Sequence, residues 1–228
     1  MRRPLAKRLA SWVLLTIART KWGLPVGLMP VIVDRLGPLG ALRWMVKNLP
    51  RYERMMKELG AVRGNLIGAF VSMLNGCYYC AFAHARAFEL LYFKARQSLF
   101  PLDEHQMVDL IVLPDQEVVA RLDAAFTAAQ MPEATPLFRR LVELKYHGAA
   151  PSTAEDAYLE HAIQMFEVLN FCGISTAVPL DGAHDPINKD MELRARYAEA
   201  RLASLAGQRL ADPSAAVDAA AARASRED

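Results

Sequence analysis

Ser152-Thr-Ala-Glu-Asp-Ala-Tyr-Leu-Glu-His-Ala-Ile-Gln-Met-Phe-Glu-Val-Leu169 reads as a helix with a marked start and one buried face. Ser152 and Glu155, three apart and directly after Pro151, carry the spacing of a capping box. Tyr158, Leu159, Ala162, Ile163, Phe166 and Leu169 then recur every three or four residues, opposite Glu160, Gln164 and Glu167. A stripe of that width needs other elements to cover it. Nowhere in the chain do five or more residues alternate with period two in β-branched types, so those elements are helices too and the fold class is all-α.

Working outward, residues 5 to 20 form an amphipathic basic helix, and Gly23, Pro25 and Pro30 separate it from the next. Gly37, Pro38 and Gly40 mark a further turn, with short helices running up to Gly60. Ala61 to Leu74 reads as a buried helix, interrupted at Asn75-Gly76. A new helix is expected from Cys77 to about Leu99, stopped by Pro101. Asp115 is placed to cap a helix through Gln130, and Thr135-Pro136 to start one that ends before Gly148. Residues 181–188 read as a loop and Lys189 to Leu210 as a charged helix. The last fifteen or so residues have the composition of a frayed or disordered tail. The organisation expected is an N-terminal helical extension over 1–48, a helical domain over 49–180, and a C-terminal helix and tail over 181–228.

A formal charge of +2, from 27 basic and 25 acidic residues, leaves no strong basic footprint, and no nucleic-acid partner is expected. Gly64 to Phe82 is charge-free but holds Asn65, Ser72, Asn75 and three glycines, which favours a buried helix and turn over a membrane span. The first helix lacks a cleavage site, so membrane contact is not expected. Three cysteines, two of them three apart, do not make a secreted disulfide framework; a reducing, cytoplasmic setting fits them, and with it redox chemistry or metal.

On a helix, Cys77, Cys80 and His84 fall within about a 60° arc and share one face. The thiols follow a helix break, near the positive end of the helix dipole, with His84 one turn beyond. A spacing of i, i+3 brings two Cα atoms to roughly 5 Å, within disulfide range. Two other readings stand beside this one. Both cysteines can be small core hydrophobes with a hydrogen-bonded core histidine. Alternatively they can bind structural zinc, which would need a fourth ligand such as His147 or His161. Neither cofactor nor metal is expected. Tyr78 and Tyr79 read as packing residues, and Cys172 as an inert buried thiol.

Leu66-Ile-Gly-Ala-Phe-Val-Ser-Met-Leu-Asn-Gly-Cys-Tyr-Tyr-Cys-Ala-Phe-Ala-His84 resembles the signature of AhpD-like alkylhydroperoxidases, the peroxidase-related branch of the carboxymuconolactone decarboxylase superfamily. Phe166-Glu-Val-Leu-Asn-Phe171 is similar to the asparagine-containing helix behind that motif, so the resemblance covers about residues 50 to 180. It implies a homo-oligomeric helical bundle that reduces a hydroperoxide with electrons from an external thiol or dithiol. By position Cys80 would be the attacking thiol, Cys77 the resolving thiol and His84 part of a proton relay. The family's relay glutamate falls at Asn65, and a histidine that some members carry between the cysteines falls at Tyr79. An amide can orient a hydrogen bond but cannot act as a general base. Glu53, Glu58 or Glu167 would then have to supply the carboxylate. The function expected is a thiol-dependent, peroxide-reducing oxidoreductase. The alternatives are a non-enzymatic scaffold or ligand-binding oligomer and, more remotely, a decarboxylase of the superfamily type.

Overall fold

The computed structural model describes residues 4–211, with side chains to 207; the tail read from the sequence lies outside them. The fold is all-α, with no strand among the described residues. In chain order the helices are α1 (Leu5–Trp22), α2 (Met29–Leu59), α3 (Ala61–Leu74), α4 (Tyr78–Arg96), α5 (Glu104–Asp109), α6 (Asp115–Ala128), α7 (Ala134–Tyr146), α8 (Ala154–Ile174) and α9 (Met191–Ala211). Short 3-10 turns lie at Leu110–Val112 and Pro186–Lys189. The chain up to Asp190 is one compact unit, and α9 belongs to a second. No described helix is long and apolar enough to cross a membrane.

Helix α3 is the hub, with Gly64 through Met73 all buried. It packs most extensively on α4 and also touches α2, α7 and α8. A helix apolar on all sides needs such wrapping, which accounts for the absence of charge after Arg63 in its first turn. Two apolar clusters flank it. The larger joins α3, α4, α6, α7 and α8 through Phe70, Phe88, Phe126, Phe138 and Phe166. The smaller joins α1 and the first half of α2 to Cys77, Cys80 and Cys172.

Several boundaries differ from the sequence reading, each for a local reason. The turn expected at Gly37-Pro38 is present, since Gly37 leaves helical geometry at φ 72° and divides residues 29–59 into two helices; what differs is that the second, restarted by Pro38, runs unbroken to Leu59 rather than as short pieces. Pro50 is tolerated because the carbonyl it leaves unpaired belongs to Val46, on the solvent face. The capping box of α8 is shifted by one residue, with Thr153 and Asp156 as its members. Asp156 collects the Ser152 and Thr153 amides and Arg140, while Glu155 turns to Arg63. Pro114, not Asp115, precedes α6, leaving Asp115 in its first turn. Helix α7 starts at Ala134 with Thr135 buried inside it, and α4 ends at Arg96 because Gln97 adopts a left-handed conformation. Inside the expected loop, Pro186–Lys189 forms a 3-10 turn capped by Asp185, and the charged helix begins at Met191.

Candidate functional site

Cys77 is the residue immediately before α4, in an extended conformation, rather than the first residue of the helix. Cys80 lies in the first turn, and both thiols are buried. They rest on Gly173 of α8: a Cβ built there would lie 2.6 Å from Cys77 Sγ and 3.8 Å from Cys80 Sγ. Only glycine leaves that space. His84 is seated the same way, since a Cβ at Gly68 of α3 would come within 2.7 Å of its ring. These two glycines bring α3 and α8 against the reactive face of α4.

The thiols are unequal. A hydrogen bond from the Cys80 thiol to the Cys77 sulfur is the main influence that brings Cys77 down to about 7, against desolvation that would raise it. The amides of Cys80 and Tyr79 and the side chain of Asn170 add to the lowering. These amides act through their dipoles at the helix start, without a formed capping hydrogen bond. Cys80 is pushed well up by its bond to Cys77, by burial and by the charge on Cys77. Within this hydrogen-bonded pair Cys77 is thus the sulfur that loses its proton first. Asn170 is itself fixed, donating to Ser72 Oγ at 3.1 Å and accepting from Asn75 at 2.6 Å.

His84 Nδ1 lies 3.0 Å from Asn65 Oδ1. Asn65 Nδ2 donates to Ala61 O at 2.9 Å and to Asp185 Oδ2 at 2.8 Å. Both of those partners are acceptors, so the amide orientation is forced and its oxygen faces the imidazole. Nδ1 of His84 then carries the proton, and Nε2 is the basic nitrogen. Burial, with a smaller contribution from His184, lowers His84 to about 3, so it is neutral at ordinary pH. A chain His84–Asn65–Asp185 replaces the expected histidine–carboxylate contact. The carboxylate comes from neither Glu53, which pairs with Lys21, nor Glu167, which pairs with Lys145, nor the exposed Glu58.

Sequence reasoning missed the segment that closes this side. Asp181 Oδ1 meets His184 Nε2 at 2.9 Å, and Oδ2 accepts from the Tyr79 hydroxyl and from the Gly27 amide. Burial alone would raise Asp181, but His184, Tyr79 and Gly27 outweigh it and hold its carboxyl low. Tyr79 is therefore more than packing: its ring lies 5.4 Å from that of His184, and its phenol, pushed up by burial and by Asp181, stays a donor. The available signal was Asp181-Gly-Ala-His-Asp185, a group of titratable residues in a short loop about a hundred residues beyond the motif. Cys172 is buried in the same apolar cluster as the pair.

A cavity of about 50 Å³ reaches Cys80, His84 and His184 and is otherwise walled mainly by apolar side chains of α1, α2 and α8. It is room for a few water-sized groups. Cys77 does not line it. An outer groove of about 630 Å³ lies on the far side of His184. Among the described residues no group of three or more His, Cys, Asp or Glu could hold a metal ion. The arrangement can present one buried sulfur to a small molecule beside a neutral imidazole, with a second sulfur that loses its proton first. No protein-family model, curated protein or solved structure matches the chain.

Proposed function

We propose that this protein is a thiol-dependent oxidoreductase that reduces a hydroperoxide through a Cys77–Cys80 dithiol/disulfide couple, as the resemblance to AhpD-like alkylhydroperoxidases implies. The observation that carries the reading is the seating of both sulfurs on Gly173, next to a chamber shared by Cys80 and His84. A hydroperoxide in the chamber meets Cys80, whose proton passes to the Cys77 sulfur it already bonds. Cys80 attacks the terminal oxygen, the O–O bond breaks, and the alkoxide leaves as the alcohol by taking the proton held on Cys77. The sulfenic acid on Cys80 then meets the Cys77 thiolate after that proton is released, and the S–S bond forms as water leaves. The sum is one hydroperoxide and two thiols giving an alcohol, water and a disulfide. An external thiol or dithiol returns the two electrons.

His84, held neutral by burial, is the orienting group: its Nε2 faces the chamber it shares with Cys80 and positions the hydroperoxide, while Cys77 is the proton acceptor. The Asn65–Asp185 pair holds its tautomer and carries no proton, because an amide offers no exchangeable site of suitable pKa. A homo-oligomer is part of the same proposal. The non-enzymatic scaffold reading is favoured by one observation, the depth and strong protonation of Cys80. The test is mass spectrometry of the full-length chain after one equivalent of hydroperoxide, with free thiols blocked. Loss of two hydrogens from the Cys77–Cys80 peptide, reversed by a dithiol, is the expected result; two thiols that remain alkylatable would favour the scaffold.

A further inference from the structure

The chamber beside Cys80 and the outer groove are separate volumes with a common wall. Trp22, Leu49, Tyr52 and His184 line both. Trp22 and His184 stack across that wall, with ring centroids 6.1 Å apart and an interplanar angle of 22°. His184 is fixed by Asp181 and stands edge-on to His84 at 6.2 Å. Trp22 is the last residue of α1, and its carbonyl accepts from Asn188 at 3.1 Å. The collar is thus pinned between the end of α1 and the 181–190 segment. It joins an N-terminal helix with no chemistry of its own to the thiols.

We propose that Trp22 and His184 form a size gate between the outer groove and the thiol chamber, so that the site takes compact or unbranched hydroperoxides and excludes branched and aromatic ones. This rests on the dithiol reading above for its chemistry, but the gate concerns access to Cys80 and is testable without it. A chamber of about 50 Å³ holds the peroxy group and little else. The remainder of a longer substrate must pass the Trp22–His184 stack and lie in the outer groove, against Met56, Leu91 and Ile187. Leu49 and Tyr52 come from α2, whose far end is packed against α3, so they are the fixed side of the collar. Trp22 is only partly buried and ends its helix, which makes it the side that sets the aperture. Specificity by such a wall depends on cross-section more than on chain length.

The test compares wild type with Trp22→Ala and, should that variant fold poorly, Trp22→Phe. Reduction of hydrogen peroxide, an unbranched alkyl hydroperoxide and cumene hydroperoxide is followed with excess dithiol. In parallel, Cys80 is labelled in a Cys77→Ser, Cys172→Ser background with iodoacetamide and with a bulky fluorescein maleimide. The expected result is a rise of about tenfold in the cumene-to-hydrogen peroxide rate ratio, and a similar rise in the bulky-to-small labelling ratio. Unchanged ratios, or labelling that rises equally with both reagents, would overturn the gate. If the labelling ratio rises while no hydroperoxide is reduced by wild type, the gate stands and the peroxidase reading falls.

Discussion

Helices α3 and α4 are packed in two ways, against a cluster of aromatic rings from neighbouring elements and, at the thiols, through glycines. In the aromatic region Phe70 packs edge-to-face on Phe126 and Phe138 at 6.0 and 5.2 Å, and Phe88 on Phe100 at 4.9 Å. Little more than one turn away, Gly68 makes room for His84, and across the pocket Gly173 makes room for both thiols. The first region is held by volume and ring geometry. The second is held by directional bonds to Asn65, Asn170, Asp181 and Asp185, around a small cavity. Stability is thus concentrated on one side of α3 and reactivity on the other, with one helix pair serving both.

This contrast gives separable expectations. Phe88→Ala should have the largest effect, about 3–5 kcal/mol of stability, with the ratio of Cys77 to Cys80 alkylation unaltered in the folded fraction. Urea unfolding with thiol labelling checks it; a changed ratio would mean the two regions are not separable.

His84 should make the thiol side acid-sensitive. Its folded value is about 3, against an ordinary 6.5, so the unfolded chain takes up a proton that the fold refuses. Its contribution is complete above 6.5 and lost as pH falls towards 3, at about 1.4 kcal/mol per unit and up to roughly 5 kcal/mol in all. Urea midpoints from pH 7 to pH 4 should fall more steeply in wild type than in His84→Gln. Equal slopes would show that His84 is not buried neutral.

Gly173→Ala should cost about 1–3 kcal/mol by overpacking, while displacing Cys77 enough to suppress disulfide formation. A variant that is destabilised yet still forms the disulfide at the wild-type rate would contradict the seating. The smallest effect should be that of Asp185→Asn, about tenfold in the rate of thiol oxidation with little change in stability, because Asn65 keeps its bond to Ala61. An unchanged rate would reduce Asp185 to a cap of its 3-10 turn.

Much of the scaffold was legible because its signals are local. The α8 stripe, the buried α3 and the break at Asn75-Gly76 follow from periodicity and turn chemistry. The α8 box slipped by one residue because Arg140, on another helix, settles which acid caps it. The turn at Gly37-Pro38 was legible too; the unbroken helix after it was not, because Pro50 sits where backbone exposed to water can lose a hydrogen bond at small cost. At the site, the motif itself was readable from helical spacing. Its supporting shell was not: Asp181, His184 and Asp185 are brought in by a loop, and loops carry no period from which to place a side chain. The preference for Cys77 was equally hidden, because it depends first on the Cys80 thiol donating to the Cys77 sulfur, and only then on the amides at the helix start.

The central claim is that these two thiols are an unequal pair poised for redox chemistry. It is tested most directly by site-resolved alkylation of the reduced full-length chain between pH 5 and 10, read by peptide mass spectrometry. Cys77 should become reactive with a midpoint of about 7 while Cys80 remains protected well above it. Two thiols that titrate together in the ordinary range near 8.5, or a Cys77 inert throughout, would contradict the account.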